Sequence, residues 1–422
     1  MKLTIQGARV IDPAAGLDQV QDVHLHHGQL MAIGAAPSDF HADETLVADG
    51  WLATPGWIDL SCHLRDPGPS YKGNLKSETL AALAGGFTQV CARPDTQPPL
   101  DSPALVQALR EKAQQAAQAR VWPVGALTQG LGGQLLSNMA ALQAAGCVAV
   151  TNMRQPVQDF LVMRRCLEYA ATFDLPVIIY PEEPSLVAGG CAHEGAMASQ
   201  LGLQGIPETA ETLAVAQWLL LIEQSGVRAH FSHLSTARSV EQLAAAQAKG
   251  LPVSADVALT HLLDTDSALE DFDSHFHLQP PLRREEDRRA LIQGVQAGVI
   301  SAISSGHLPH ERAAKMAPFA ASEPGQSTLE VCLPLLLERV AAQELSLPTL
   351  IERMTLGPAL ALGLPMPQLQ AHQDLILIDP QEVWTPAKSV WHSAGRNTPV
   401  WQQPLMGRVK QVWVQGHRHI FN

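Results

Sequence analysis

Charge is what this chain has least of. Only 16% of its 422 residues are Asp, Glu, Lys or Arg, against roughly 25% in an average soluble domain, while 46% are hydrophobic. Aromatic residues are sparse too, at 5%. The 28 basic residues face 41 acidic ones, for a formal charge of −13. They form no clustered run, which argues against nucleic acid or an anionic membrane as partner. Long apolar runs are also missing. Stretches such as Trp218 to Ile222 and Leu333 to Leu337 fall far short of the ~20 residues that cross a bilayer. The opening Met1-Lys2-Leu3-Thr4-Ile5 leads into polar alternation and not into a signal-peptide core, so a cytoplasmic protein is expected. Six cysteines (Cys62, Cys91, Cys147, Cys166, Cys191, Cys332) contain no CxxC pair, and their apolar surroundings suit buried free thiols better than disulfides. A surface this short of charge is expected to lie partly against another chain.

Both chain ends read as β structure. Leu3-Thr4-Ile5-Gln6-Gly7 and Val23-His24-Leu25-His26-His27-Gly28 alternate with period two, as do Leu375-Ile376-Leu377-Ile378-Asp379-Pro380 and Arg408-Val409-Lys410-Gln411-Val412-Trp413-Val414. Residues 1–54 and 366–422 are therefore expected to pair into one small β-sandwich domain. Between them, over 55–365, lie eight short apolar runs, most of them followed by helical patterning. The runs are Trp57 to Cys62, Phe87 to Ala92, Val121 to Leu127, Cys147 to Thr151, Pro176 to Tyr180, Arg228 to His233, Pro252 to Val257 and Val299 to Ser304. Helix-length stretches include 102–120, 208–225 and 327–342. Eight strand-helix repeats predict an α/β fold of the (β/α)8 TIM-barrel type, whose active face is the C-terminal end of the strands. A doubly wound open sheet is the alternative, but no GxGxxG opens a helix.

Histidines cluster just past three of those runs: Ser61-Cys62-His63-Leu64-Arg65, His230-Phe231-Ser232-His233 and Gly306-His307-Leu308-Pro309-His310. Taken singly, each suits a partly buried side chain with a backbone partner; together, at strand ends, they point to a metal or acid/base site. His24 and His26 share one strand face, and His417 and His419 have the same spacing, but exposed strand positions explain both pairs better than a metal tract. No GxSxG, HExxH or P-loop occurs. Cys62 beside His63 is no nucleophile-base pair, because neighbouring strand residues face opposite ways.

The stretch Trp57 to Gly68, Ala84-Gly85-Gly86-Phe87-Thr88 with Arg93-Pro94-Asp95-Thr96, Gly202 to Pro207, Gln279-Pro280-Pro281-Leu282-Arg283 and His307-Leu308-Pro309-His310 resemble, in order, the landmarks of the dihydroorotases of the amidohydrolase superfamily. The resemblance implies a zinc-dependent barrel that interconverts carbamoyl aspartate and dihydroorotate. Measured against that family, the metal-ligand positions are altered. Ser61 stands at the first histidine of the His-x-His motif, with His63 kept. Met153, within Asn152-Met153-Arg154-Gln155-Pro156-Val157, stands at the metal-bridging carboxylate. Tyr180 replaces the fifth-strand histidine, His233 is kept, and Gly306 replaces the aspartate that binds metal and moves the proton.

Two isolated imidazoles cannot supply three protein ligands per zinc, so no binuclear centre or other cofactor is expected, and no catalytic residue is assigned. Without metal-activated water and without a base, the chemistry is expected to fail. In the substrate subsite, Arg65 and His310 are expected to hold a carboxylate beside the Glu323-Pro324-Gly325 loop. Asp95 and Gln279 stand where the family has asparagines. Arg65 has an alternative reading, a structural ion pair with Asp66, Asp95 or another acid near the barrel mouth.

The resemblance is strongest to the non-catalytic dihydroorotase-like proteins, implying a structural partner of the aspartate carbamoyltransferase catalytic chain within a homo- or hetero-oligomer. One alternative is an active cyclic amidohydrolase with a single metal on His63, His233 and His307. Another is a sensor of dihydroorotate or carbamoyl aspartate that lacks turnover.

Overall fold

The computed structural model describes residues 1–116, 118–370 and 373–421. Positions 117, 371, 372 and 422, inside the expected stretches 102–120 and 366–422, lie outside the described residues. Eighteen strands follow in chain order. The first five are β1 (Lys2–Asp12), β2 (Leu17–His26), β3 (Gln29–Ile33), β4 (Glu44–Val47) and β5 (Leu52–Pro55). Then come β6 (Trp57–Cys62), β7 (Phe87–Ala92), β8 (Arg120–Ala126), β9 (Ala149–Thr151) and β10 (Val177–Ile179). A two-stranded excursion, β11 (Ala192–His193) and β12 (Gly205–Ile206), precedes β13 (Ala229–Phe231), β14 (Val253–Ala258) and β15 (Ala302–Ser304). The last three are β16 (Leu375–Trp384), β17 (Leu405–Val414) and β18 (His417–Ile420).

Strands β6 to β10 and β13 to β15 form one parallel sheet of eight. Each coincides with one of the eight apolar runs, displaced by no more than a few residues. Buried on both faces, these strands are mostly apolar, which is why the runs stand out. The sheet nearly closes on itself: just beyond the ends of β6 and β15, the His63 N–H donates to the His307 carbonyl at 3.0 Å. The chain therefore folds as a (β/α)8 barrel, and its helices cover the outside. The Leu75–Ala84 helix starts on a capping box, with Asn74 accepting from the Ser77 N–H. The expected 102–120 and 208–225 helices run Pro103–Ala116 and Thr209–Ser225.

The two chain ends meet in a second sheet of eight strands. β5 is the link, parallel to β1 at Arg9 and Val10 and antiparallel to β16 from Leu375 to Ile378. β5 then runs straight into β6, with Gly56 alone between the two strands. Thr88 side-chain atoms lie 2.0 Å from where a Cβ at Gly56 would sit, so only glycine fits. All six cysteines are buried and free. Among the described residues no helix is long and apolar enough to cross a membrane. One expectation fails in the terminal sheet. His24 is buried, not exposed, with Nδ1 3.1 Å from Thr4 Oγ1, Nε2 3.0 Å from the Gly34 carbonyl and its ring edge-on to Phe40. Long-range pairing closes that face of β2, which alternation alone does not reveal.

Candidate functional site

Beneath the barrel mouth lies a layer of buried carboxylates held by short-range hydroxyl and amide donors. Asp256, on β14, accepts from His230 Nε2 at 2.9 Å, Ser232 Oγ at 2.8 Å, the His233 N–H at 2.9 Å and Ser304 Oγ at 2.8 Å. Burial opposes its charge, but these donors hold its pKa at about 2. Asp59, on β6, accepts from the Ser305 N–H at 2.9 Å and from Ser305 Oγ. These networks tie β14 to its neighbours β13 and β15, and β15 to β6 across the closure, and they occupy both nitrogens of His230, whose Nδ1 lies 2.8 Å from Ser254 Oγ.

The six positions that carry metal in the resembling family converge on the mouth, but with different chemistry. Ser61 Oγ and Tyr180 Oη are 3.0 Å apart. The Tyr180 ring lies between two guanidinium groups, Arg93 at 5.7 Å and Arg154 at 5.3 Å from its centroid, and meets the His233 ring edge-on at 5.4 Å. Burial raises the Tyr180 phenol above its usual range, so it stays a neutral hydroxyl. Met153 is buried at a positive φ of 54°. Gly306 has φ 65°, and a Cβ there would meet the Ala258 methyl at 3.2 Å.

The two retained histidines are held apart in function. His63 Nε2 faces Asp95 Oδ2 at 3.5 Å, and its Nδ1 accepts the Arg65 N–H at 3.3 Å. Burial pushes His63 down to about 4 despite the pull of Asp95. His233, also buried, drops to about 3, and its Nε2 has no hydrogen-bond partner. Both are neutral at physiological pH. Among the described residues, no three His, Cys, Asp or Glu side chains are placed to hold a metal ion. The zinc that the family resemblance implies does not fit this donor set, since a catalytic zinc takes three protein ligands.

His307 does not join them, which corrects the alternative single-metal reading. Its Nδ1 accepts the Thr328 N–H at 3.1 Å, so the proton sits on Nε2, 2.8 Å from Glu78 Oε2. Glu78 also takes Ser393 Oγ at 2.6 Å and the Ala394 N–H at 3.1 Å. His307 thus clamps the strand-eight loop to the Leu75–Ala84 helix and to the segment around Ser393.

Arg65 departs from both readings of it. Its guanidinium donates to the Pro309 carbonyl at 2.8 and 3.1 Å and lies 3.3 Å from His310 Nε2. No carboxylate of the described residues bridges to it. His310 is also within reach of Lys72 Nζ at 3.2 Å and the Pro324 carbonyl at 3.0 Å. Burial, then Arg65 and Lys72, push His310 down to about 3. The residues expected to grip a carboxylate are engaged with each other and with the backbone.

Asp95 pairs with Arg93 at 3.1 Å. Although burial opposes its charge, Arg93 and His63 hold its carboxyl well below the usual range. Gln279 turns its amide onto both Glu182 oxygens at 2.8 and 3.0 Å, while Arg154 bridges Glu182 at 2.9 Å and the Gln279 carbonyl. Arg154 and Glu182 are the partners sequence reasoning passed over. The sequence signal was there: a cation inside the altered fourth-strand motif and an acid beside Tyr180.

What the mouth retains is a cavity of about 220 Å³ whose lining includes Arg93, Asp95, Arg154, His233, His261 and Gln279. It sits where a barrel of this kind places its substrate. Fold and site together define a barrel of the amidohydrolase architecture with a closed-over, rewired mouth. The L-hydantoinase (dihydropyrimidinase) of Arthrobacter aurescens superposes with a TM-score of 0.88 at 22% identity, covering 100% of this chain and 97% of that one. The dihydropyrimidinase of Brevibacillus agri NCHU1002 superposes at 0.83 and 20%, covering 100% and 95%. Residues 50–239 match the family model described as dihydro-orotase-like. Over 419 residues the chain is 53% identical to the "dihydroorotase-like protein" of Pseudomonas aeruginosa, and 51% identical to that of Pseudomonas putida, covering 99% of each chain. It is 41% identical to the "dihydroorotase" of Syntrophotalea carbinolica, covering 99% of this chain and 98% of that one. The chain belongs to the dihydroorotase-like family.

Proposed function

We propose that this protein is a non-catalytic dihydroorotase-like protein of pyrimidine biosynthesis, which serves as a structural and assembly partner of aspartate carbamoyltransferase. The observation that carries the loss of catalysis is the Ser61–Tyr180 hydroxyl pair, clasped by Arg93 and Arg154. Two guanidinium groups lie against the phenol of Tyr180, a position that the resemblance assigns to a metal-binding histidine. A guanidinium neither binds zinc nor, with a pKa above 12, takes up the proton of an attacking water. Gly306 leaves no carboxylate to serve as base, a role worth about 10²–10⁴ in rate.

The assembly role rests on the family resemblance, on a scaffold kept intact around a discarded site, and on apolar surface. Phe160, Leu161, Leu213 and Leu220 are exposed on two helices packed together, Phe160–Thr172 and Thr209–Ser225. Large exposed side chains gathered in one area mark interaction surfaces more often than chance. Expression with and without the transferase, followed by size exclusion with light scattering, tests the partnership. One co-eluting complex is expected; two independent peaks at micromolar concentration contradict it.

A further inference from the structure

A second cavity, of about 880 Å³, opens between the turn Arg312–Lys315 and the segment 394–402 that lies between β16 and β17. It shares no lining residue with the 220 Å³ cavity at the mouth, and its size suits a small organic ligand. Three cations line it, Arg312, Lys315 and Arg396, against one acid, Glu311. Lys72 Nζ, 3.6 Å from Glu311 Oε2, faces that acid. In a chain of formal charge −13, this cavity runs against the trend and favours an anion.

The cations differ in what holds them. Lys315 Nζ donates to the Ser274 carbonyl at 3.0 Å and the Glu323 carbonyl at 2.6 Å, which leaves one of its three N–H groups. Arg312 and Arg396 are exposed, and among the described residues neither guanidinium has an ion pair or a hydrogen bond. Arg396 lies over the half-buried Trp401 ring, 5.7 Å from its centroid. Thr398, on the same wall and only 2% exposed, has a hydroxyl that no group of the described residues hydrogen-bonds. Such a hydroxyl costs free energy until something pairs with it. The wall itself is fixed. Asn397 Oδ1 accepts the His310 N–H at 2.8 Å and Ser327 Oγ at 2.7 Å, while Nδ2 donates to the Leu308 and Gly325 carbonyls, both at 3.0 Å. Arg396 and Thr398, on either side of it, are thereby positioned before any ligand arrives.

We propose that this cavity binds a condensed phosphate, free or as the di- or triphosphate tail of a nucleotide. The guanidinium forks of Arg312 and Arg396 take phosphate oxygens in pairs, the Lys315 amine adds a point charge, and the Thr398 hydroxyl donates to a further oxygen. Cations on two walls call for an anion charged at more than one point, which a single carboxylate is not. Trp401, beside Arg396, supplies an aromatic surface for a base. No bond is made or broken. The barrel mouth plays no part, so the inference stands or falls separately from the proposed function.

Calorimetry on the full chain, in magnesium-free buffer at about 0.1 M salt, tests it with tripolyphosphate, ATP and, as a carboxylate of comparable charge, citrate. One phosphate probe is expected per chain with a Kd of about 100 µM or tighter, and about tenfold or more tighter than citrate. Tighter binding of ATP than of tripolyphosphate assigns the site to a nucleotide; the reverse assigns it to free condensed phosphate. Arg312→Gln and Arg396→Gln, at exposed positions without ion pairs, should leave the unfolding temperature unchanged and each weaken both phosphate probes about tenfold. Thr398→Val should weaken them by less. No binding of either phosphate at millimolar concentration, binding of citrate as tight as theirs, or an affinity indifferent to both arginine substitutions overturns the inference.

Discussion

Ser61 and Tyr180, 119 residues apart in the chain, point their hydroxyls at one another across the barrel mouth at a separation of 3.0 Å. The contact closes the space between the first and fifth strands, and it brings the Tyr180 ring between Arg93 and Arg154. A position rebuilt in this way has acquired a packing role of its own, with measurable consequences.

Tyr180→Phe keeps the ring and its cation–π contacts but leaves Ser61 Oγ without this partner. The expected loss is about 0.5–1.5 kcal/mol in urea unfolding. Tyr180→His, which restores a family ligand, forfeits the ring packing and should cost more than the Phe variant. If Tyr180→His proves the more stable, the packing role is contradicted.

Gly306→Asp restores the family base in sequence only. At φ 65°, with the Ala258 methyl 3.2 Å from the new Cβ, left-handed strain of about 1–2 kcal/mol is expected. Assayed for dihydroorotate hydrolysis, the variant should be as silent as the parent, because the other ligand positions are unchanged.

Acid should destabilise the fold early. His63, His233 and His261 are buried and held at about 4, 3 and 4, below the ordinary value of ~6.5. Their folded pKa is depressed, so the unfolded chain binds more protons and their contribution is fully present above pH ~6.5. It is lost as pH falls from 6.5 towards 4, by up to about 1.4 kcal/mol per pH unit for each group. Urea midpoints at pH 7, 6 and 5 should fall in that order, and less steeply in His233→Gln. A midpoint indifferent to pH over that range would contradict the neutral buried histidines.

On the assembly reading, Leu220→Glu and Leu213→Glu, both at exposed positions, should leave the unfolding temperature within a few degrees while abolishing co-elution with aspartate carbamoyltransferase. Retention of the complex by both variants would move the contact surface elsewhere on the molecule.

Much of this molecule was legible in its sequence, for identifiable reasons. Barrel strands are buried on both faces, so Phe87 to Ala92 or Trp57 to Cys62 reads as a short, mostly apolar run whose limits match the strand. The positions of Ser61, Met153, Tyr180 and Gly306 at the mouth followed from aligned landmarks. What replaced the lost ligands did not. Whether Arg65 meets a carboxylate or the Pro309 carbonyl depends on a backbone contact 244 residues away, and nothing local encodes it. His307 was misjudged because its sequence neighbourhood is the mouth, while its ring is fixed by Glu78, 229 residues earlier in the chain. His24 was misjudged likewise, since its cover comes from Thr4, Gly34 and Phe40.

The most direct test of the central claim joins metal analysis to a dihydroorotase assay on the full chain, purified without chelator in the presence of zinc. The expected result is zinc well below one per chain, with neither hydrolysis of dihydroorotate nor cyclisation of carbamoyl aspartate above the buffer rate. Stoichiometric zinc together with turnover that a chelator abolishes would contradict it.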